Sequence, residues 1–139
     1  MTTRAELSAA EECGHGHTPL MRAALDGNTE RVKELLHQGA EINQRDDHGR
    51  TALMFAAINT HYETMKVLLE YGADVNAKSN EGGTALMGAA LAGDLRMVQA
   101  LLDKGADVHA KLPETNDSAL TLAASHGYDE IARLLNQID

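Results

Sequence analysis

Thr18-Pro19-Leu20-Met21, Thr51-Ala52-Leu53-Met54 and Thr84-Ala85-Leu86-Met87 are one phrase written three times, at a constant step of 33 residues. Two more sets keep the same step: Leu35-Leu36, Leu68-Leu69 and Leu101-Leu102, then Gly39-Ala40, Gly72-Ala73 and Gly105-Ala106. A period of this length marks a unit that cannot bury its apolar face alone and must stack on its neighbours. Stacked arrays of this kind offer extended surfaces to partners.

The second unit shows the local physics. Asp46-Asp47-His48-Gly49-Arg50 reads as a turn, with Gly49 supplying the positive φ that a tight turn requires. Thr51 stands where an N-cap belongs, its hydroxyl placed to accept from an orphan backbone N–H. Residues 52–59 are expected to form a short helix, with Leu53, Ala56 and Ala57 on one buried stripe. The alanine pair lets a neighbouring helix approach closely. Residues 61–70 are expected to form a second helix with Met65, Leu68 and Leu69 inward, ended by Gly72 as a left-handed C′ residue. Leu68, Leu69, Leu101 and Leu102 should be among the most buried residues.

This succession of turn, helix, helix, turn resembles the ankyrin repeat. The matching segments are DDHGRTALMFAA with VLLEYGADVNAK, NEGGTALMGAA with ALLDKGADVHAK, HTPLMRAALDGN with ELLHQGAEIN, and, more weakly, SALTLAASHGYDEIARLL. The resemblance implies an all-α solenoid of stacked antiparallel helix pairs with projecting β-hairpin-like loops. It spans about residues 14–139, as repeats at about 14–45, 46–78, 79–111 and 112–139, after an N-terminal extension of residues 1–13. In that extension Thr3-Arg4-Ala5-Glu6 matches a capping box, so a short helix would pack Leu7 and Ala10 on the first repeat.

The ends and the departures from the family pattern carry information. Arg22, Arg31 and Glu34 replace the later Phe55, Thr64 or Met97, and Val67 or Ala100. Asn136 takes the place of Leu69 and Leu102. Polar outer faces suit terminal units, so a complete, doubly capped array is expected. The family's usual histidine in the first helix is replaced by Met21, Met54, Met87 and Thr121. Thr60 stands where Gly27, Gly93 and Gly127 end the other first helices. A β-branched residue resists positive φ, so that turn is expected to differ.

The formal charge of −9 argues against a nucleic-acid partner. One cysteine, Cys13, excludes an internal disulfide framework and fits a reducing, cytoplasmic setting. No apolar run approaches the roughly 18 residues a membrane span needs. No phosphate loop, paired-carboxylate motif or nucleophile elbow is present. The expectation is therefore a monomeric, non-enzymatic protein without cofactor, acting as adaptor, inhibitor or assembly factor on a protein partner.

In the family, partners touch the loop tips and the concave face of the first helices. Carried over by alignment, these places are Leu25, Ile58 and Leu91 at the first-helix exits, with Asn59 and His126 beside that row. At the loops they are Asp47, His48, Arg50, Asn80 and Glu81. Three aliphatics in a row suggest an exposed apolar strip, and Met21, Met54 and Met87, one turn earlier, suit an adaptable surface. Half-buried scaffold is the competing reading. Arg45, Lys78 and Lys111 recur at the loop starts and would form a basic ladder, although solvated lysines explain them as well. Cys13-Gly14-His15-Gly16-His17 carries a thiolate and two imidazoles, which can ligate zinc or copper. A metal-responsive or redox protein using Cys13, His15 and His17 is thus the alternative function, against which stand an unusual spacing and the lack of an evident fourth ligand. Asn43 and Asn76 occupy a place that is hydroxylated in some members of the family.

Overall fold

The computed structural model describes residues 16–138. The N-terminal capping box, Leu7, Ala10, Cys13 and His15 lie outside the described residues. Within them the chain forms eight helices and no strand, arranged as four pairs. The first pair is α1 (Pro19–Asp26) and α2 (Thr29–His37). Then follow α3 (Ala52–Ile58) with α4 (Tyr62–Glu70), α5 (Ala85–Ala92) with α6 (Leu95–Asp103), and α7 (Ala119–Ser125) with α8 (Asp129–Asn136).

First helices stack on first helices, α1 on α3 on α5 on α7, and second helices form a parallel row behind them. The first-helix row is the tighter of the two. Its composition explains why: Ala24, Ala56, Ala57, Ala89 and Ala90 are fully buried and keep the axes close. The second row is filled by larger groups, among them Val32, Met65, Leu68, Met97, Val98 and Leu101, all fully buried. Helices of seven to nine residues are too short to persist alone in water, so this burial is what holds them.

Leu102 departs from expectation. Leu68, Leu69 and Leu101 are buried, but Leu102 is half-buried. The next repeat offers it Asn136, which is exposed, rather than another leucine. The polar substitutions of the first repeat behave as their chemistry requires. Glu34 is exposed and Arg31 is half-buried, whereas Val67 and Thr64 at the same register are buried.

Loop glycines follow the pattern. Gly72 has φ 93°, and the Ala73 N–H closes the helix end on the Leu68 carbonyl at 3.0 Å. Thr60 does not alter its turn. It adopts φ 60° like the glycines at its register, and its hydroxyl donates to the Asn59 carbonyl at 2.6 Å. The reason lies in the next repeat. A Cβ on Gly27 would lie 2.5 Å from the His61 ring, and one on Gly93 would lie 2.7 Å from the Tyr128 ring. The residue facing Thr60 at that register is Asp94, which instead caps α6 by accepting from the Met97 N–H. Asp94 carries no ring to crowd this register, and the left-handed backbone itself is what costs energy there.

Candidate functional site

The loops that join the repeats are tight turns whose tips are tied to one another. Asp46 N–H donates to the Arg50 carbonyl at 3.0 Å, and Gly49, at φ 76°, donates to the Asp46 carbonyl at 2.9 Å. In the next loop, Ser79 N–H donates to the Gly83 carbonyl and Gly82 N–H to the Ser79 carbonyl, both at 2.9 Å. Between the two loops, Asn80 gives its backbone N–H to the His48 carbonyl and its side-chain amide to the Asp47 carbonyl. Arg45 donates to the Lys78 carbonyl at 2.7 Å. Asn43 accepts from the Asp74 N–H and Asn76 from the Asp107 N–H, so both asparagines stitch adjacent repeats.

One loop contains a buried carboxylate. The Asp46 side chain is 0% exposed. Its Oδ1 accepts from the backbone N–H groups of His48 and Arg50, and its Oδ2 accepts from Arg50 Nε at 2.9 Å. His17 Nε2 lies 3.3 Å from the same oxygen. Burial alone would push this carboxyl up. The hydrogen bonds from Arg50 and His48 and the guanidinium charge outweigh it and hold the carboxyl below its ordinary value. Phe55 completes the knot, with the His17 ring edge-on at 5.3 Å and the Arg50 guanidinium over its face at 5.0 Å.

Beside that knot lies an apolar groove of about 270 Å³. Met54, Phe55 and Ile58 of α3 form one wall, and Leu112 and Leu122 of the fourth repeat form the other. The floor belongs to the third repeat, with Met87, Gly88 and Leu91 of α5 and Ser79, Gly83 and Thr84 before it. Among the described residues, Arg50 is the one charged residue in this lining. The groove exists because side chains are missing. Gly88 stands at the register of Phe55 and Leu122, and Gly83 at that of Arg50. Ile58 is 44% exposed, one of two large apolar residues so open among those described, Tyr71 being the other.

The expected site residues therefore separate. Ile58, Leu91 and Arg50 meet at the groove. Leu25 is half-buried and outside the lining, its carbonyl taken by Asn59 Nδ2 at 3.1 Å and by the His61 ring at 2.9 Å. Asn59, Asn80 and Arg45 spend polar groups on joining repeats. Asp47, His48, Lys78 and Glu81 are exposed on the loops, and exposed His126 stacks on Tyr128 at the far end. The adaptable methionine row does not hold as a row. Met21 and Met87 are buried, at 2% and 3% exposure. Met21 instead accepts the Thr18 N–H through its sulfur at 3.4 Å, completing a capping box.

Thr18, Thr84 and Ser118 cap their helices through the side chain as the pattern requires, but Thr51 does not. Its buried hydroxyl has no hydrogen-bond partner among the described residues. Leu112, Leu122, Gly83 and Gly88 were not singled out by periodicity. Their signal lies in the repeat columns: Gly88 and Leu122 share one with Phe55, Gly83 shares one with Arg50, and Leu112 shares one with Asp46 and Ser79. His17 lies against Asp46, while Cys13 and His15, the other two residues of that candidate metal set, lie outside the described residues; among the described residues no three His, Cys, Asp or Glu side chains are grouped to hold a metal ion.

Paired helices in four stacked units, joined by tight turns whose tips bond to one another, define a helical repeat protein. The family description "Ankyrin repeats (3 copies)" matches residues 4–79 and again residues 76–139, so the chain belongs to the ankyrin-repeat family. Ankyrin repeats are in general protein–protein interaction modules. A comparison with curated proteins gave no match. Among the described residues no helix is long and apolar enough to cross a membrane.

Proposed function

We propose that this protein is a monomeric, non-enzymatic docking module that binds a protein partner along the first-helix face, across the second and third repeats. It would serve as adaptor, inhibitor or assembly factor. The exposure of Ile58 beside an open apolar groove carries this reading. An isoleucine left open next to Met54, Leu91 and Leu122 loses free energy to water that a partner would recover. The tighter packing of the first-helix row supports placing this face on the inside of the stack's curvature. The tied loop tips support a preformed surface, which lowers the ordering cost of association.

Ile58→Arg tests the proposal. Wild-type and variant proteins are used as bait in cell extract, and captured proteins are quantified beside a thermal melt of each bait. A central contact turned into a charge should weaken capture of a specific partner by about 2 kcal/mol or more. Stability should stay within about 0.5 kcal/mol, as for a surface change. Unfolding of the variant would make Ile58 scaffold. Unchanged capture with an unchanged melt would move the contact to the loop tips at His48, Arg50 and Glu81.

A further inference from the structure

We propose that the recess above Gly83 and Gly88 seats one bulky apolar side chain, leucine- or phenylalanine-sized, of a protein segment that presents a carboxylate to Arg50 beside it. The inference rests on the reading of the groove as the docking face and adds what the partner must carry.

Size comes first. A closed apolar cavity of about 150 Å³ holds a benzene-sized group. The recess measures about 270 Å³ and is open on one side, so a leucine or phenylalanine can enter from the face that Ile58 borders. Its shape follows from the repeat. Phe55 and Leu122 fill this register in the flanking repeats, and Gly88 leaves it vacant between them. The vacancy is not forced by the backbone. Gly88 has an ordinary helical φ, and a Cβ there would meet Ile58 no closer than 3.5 Å. Glycine inside a helix is unfavourable relative to alanine, so the residue costs stability where packing does not demand it.

Charge comes second. The chain carries −9 overall, yet among the described residues the one charged side chain lining this groove is a cation. Arg50 commits its Nε to Asp46 Oδ2 and its face to Phe55, which fixes the plane of the guanidinium. Its two terminal nitrogens make no bond among the described residues. Asp46 offsets part of the charge, but its oxygens also accept two backbone N–H groups. A guanidinium held in plane with free donors suits a carboxylate, and it stands at the rim of an apolar seat.

The test uses short random peptides displayed as a library and selected on the full chain. Enriched sequences should pair a leucine or phenylalanine with an aspartate or glutamate a few residues away. In the best synthetic peptide, replacing the apolar residue by alanine, or the acid by its amide, should each weaken binding about tenfold or more. These peptide-side changes leave the protein fold untouched. On the protein side, Gly88→Leu should fill the seat and weaken the same peptide at least as much, while Gly88→Ala retains or raises Tm. Peptides that bind Gly88→Leu as well as wild type but are lost with Ile58→Arg would overturn this inference and leave the groove as the docking face. Enrichment without the acid would overturn it too. No enrichment, or binding indifferent to both substitutions, would overturn the inference and the docking face together.

Discussion

The loop at residues 46–50 and the loop at 79–83 have the same hydrogen-bonded frame, but different chemistry holds them. Asp46 fills its position with a buried carboxylate that takes three hydrogen bonds and lies beside His17. Ser79, at the same register, offers a single hydroxyl to the Gly83 N–H at 3.0 Å. One step further, Leu112 offers no polar group. There the turn, one residue longer, closes through backbone bonds from Leu112 to Asp117 and from Asn116 to Leu112, both 2.8 Å. The Leu112 side chain is released to line the groove. Anchorage is thus traded for apolar surface from one end of the groove to the other. The repeat frame needs only the backbone bonds, and the residue inside each turn is free to serve stability or contact.

Removing the anchors in turn should reproduce that gradient. Asp46→Ala is expected to have the largest effect, about 2–3 kcal/mol by denaturant titration, because two backbone donors and Arg50 lose a charged acceptor in a buried place. Equal losses at Asp46 and Ser79 would erase the contrast. Ser79→Ala should cost about 1 kcal/mol, the worth of one neutral hydrogen bond. Leu112→Ala should cost less than about 1 kcal/mol, since the side chain is only half-buried. Its effect should fall on peptide or partner binding instead.

Acid should reveal the same difference. The folded Asp46 carboxyl is held below its ordinary value. Such a group contributes stability that is complete above its unfolded pKa of about 3.9 and is lost as pH falls through the lower folded value. The stability gap between wild type and Asp46→Asn should be constant above about pH 5 and shrink below about pH 4. The gap between wild type and Ser79→Ala should not change over that range. A gap for Asp46→Asn that widened in acid would contradict the sign of the shift.

Much of this frame is legible in the repeat step. The helices α3 and α4 begin and end within one residue of their expected bounds, and Gly49 and Gly72 take the positive φ their places require. Those features are local, set by turns, caps and the spacing of Leu and Ala. What escapes is whatever one repeat does to the next. The left-handed Thr60 stands where the following unit carries Asp94 in place of the ring that covers Gly27 and Gly93. The burial of Met87 and the half-burial of Leu102 depend on what stands across the stack. Asp46 reads as an ordinary turn residue until His17, from the preceding unit, is brought against it. The groove is legible only as absence, in the glycines at 83 and 88, and periodicity draws attention to residues that recur rather than to one that drops out.

The rings that lie over glycine give the stack a reading order. His61 covers Gly27 and Tyr128 covers Gly93 so closely that neither glycine has room for a methyl group. Thr60 already carries the atoms that such a ring would strike. An in-register deletion of residues 79–111 keeps every helix, turn and leucine pair of the remaining units in phase. It would nevertheless bring Tyr128 down on Thr60. Units that look interchangeable along the chain are mated in space like numbered parts, and this array cannot lose its third repeat without first changing residue 60 or residue 128.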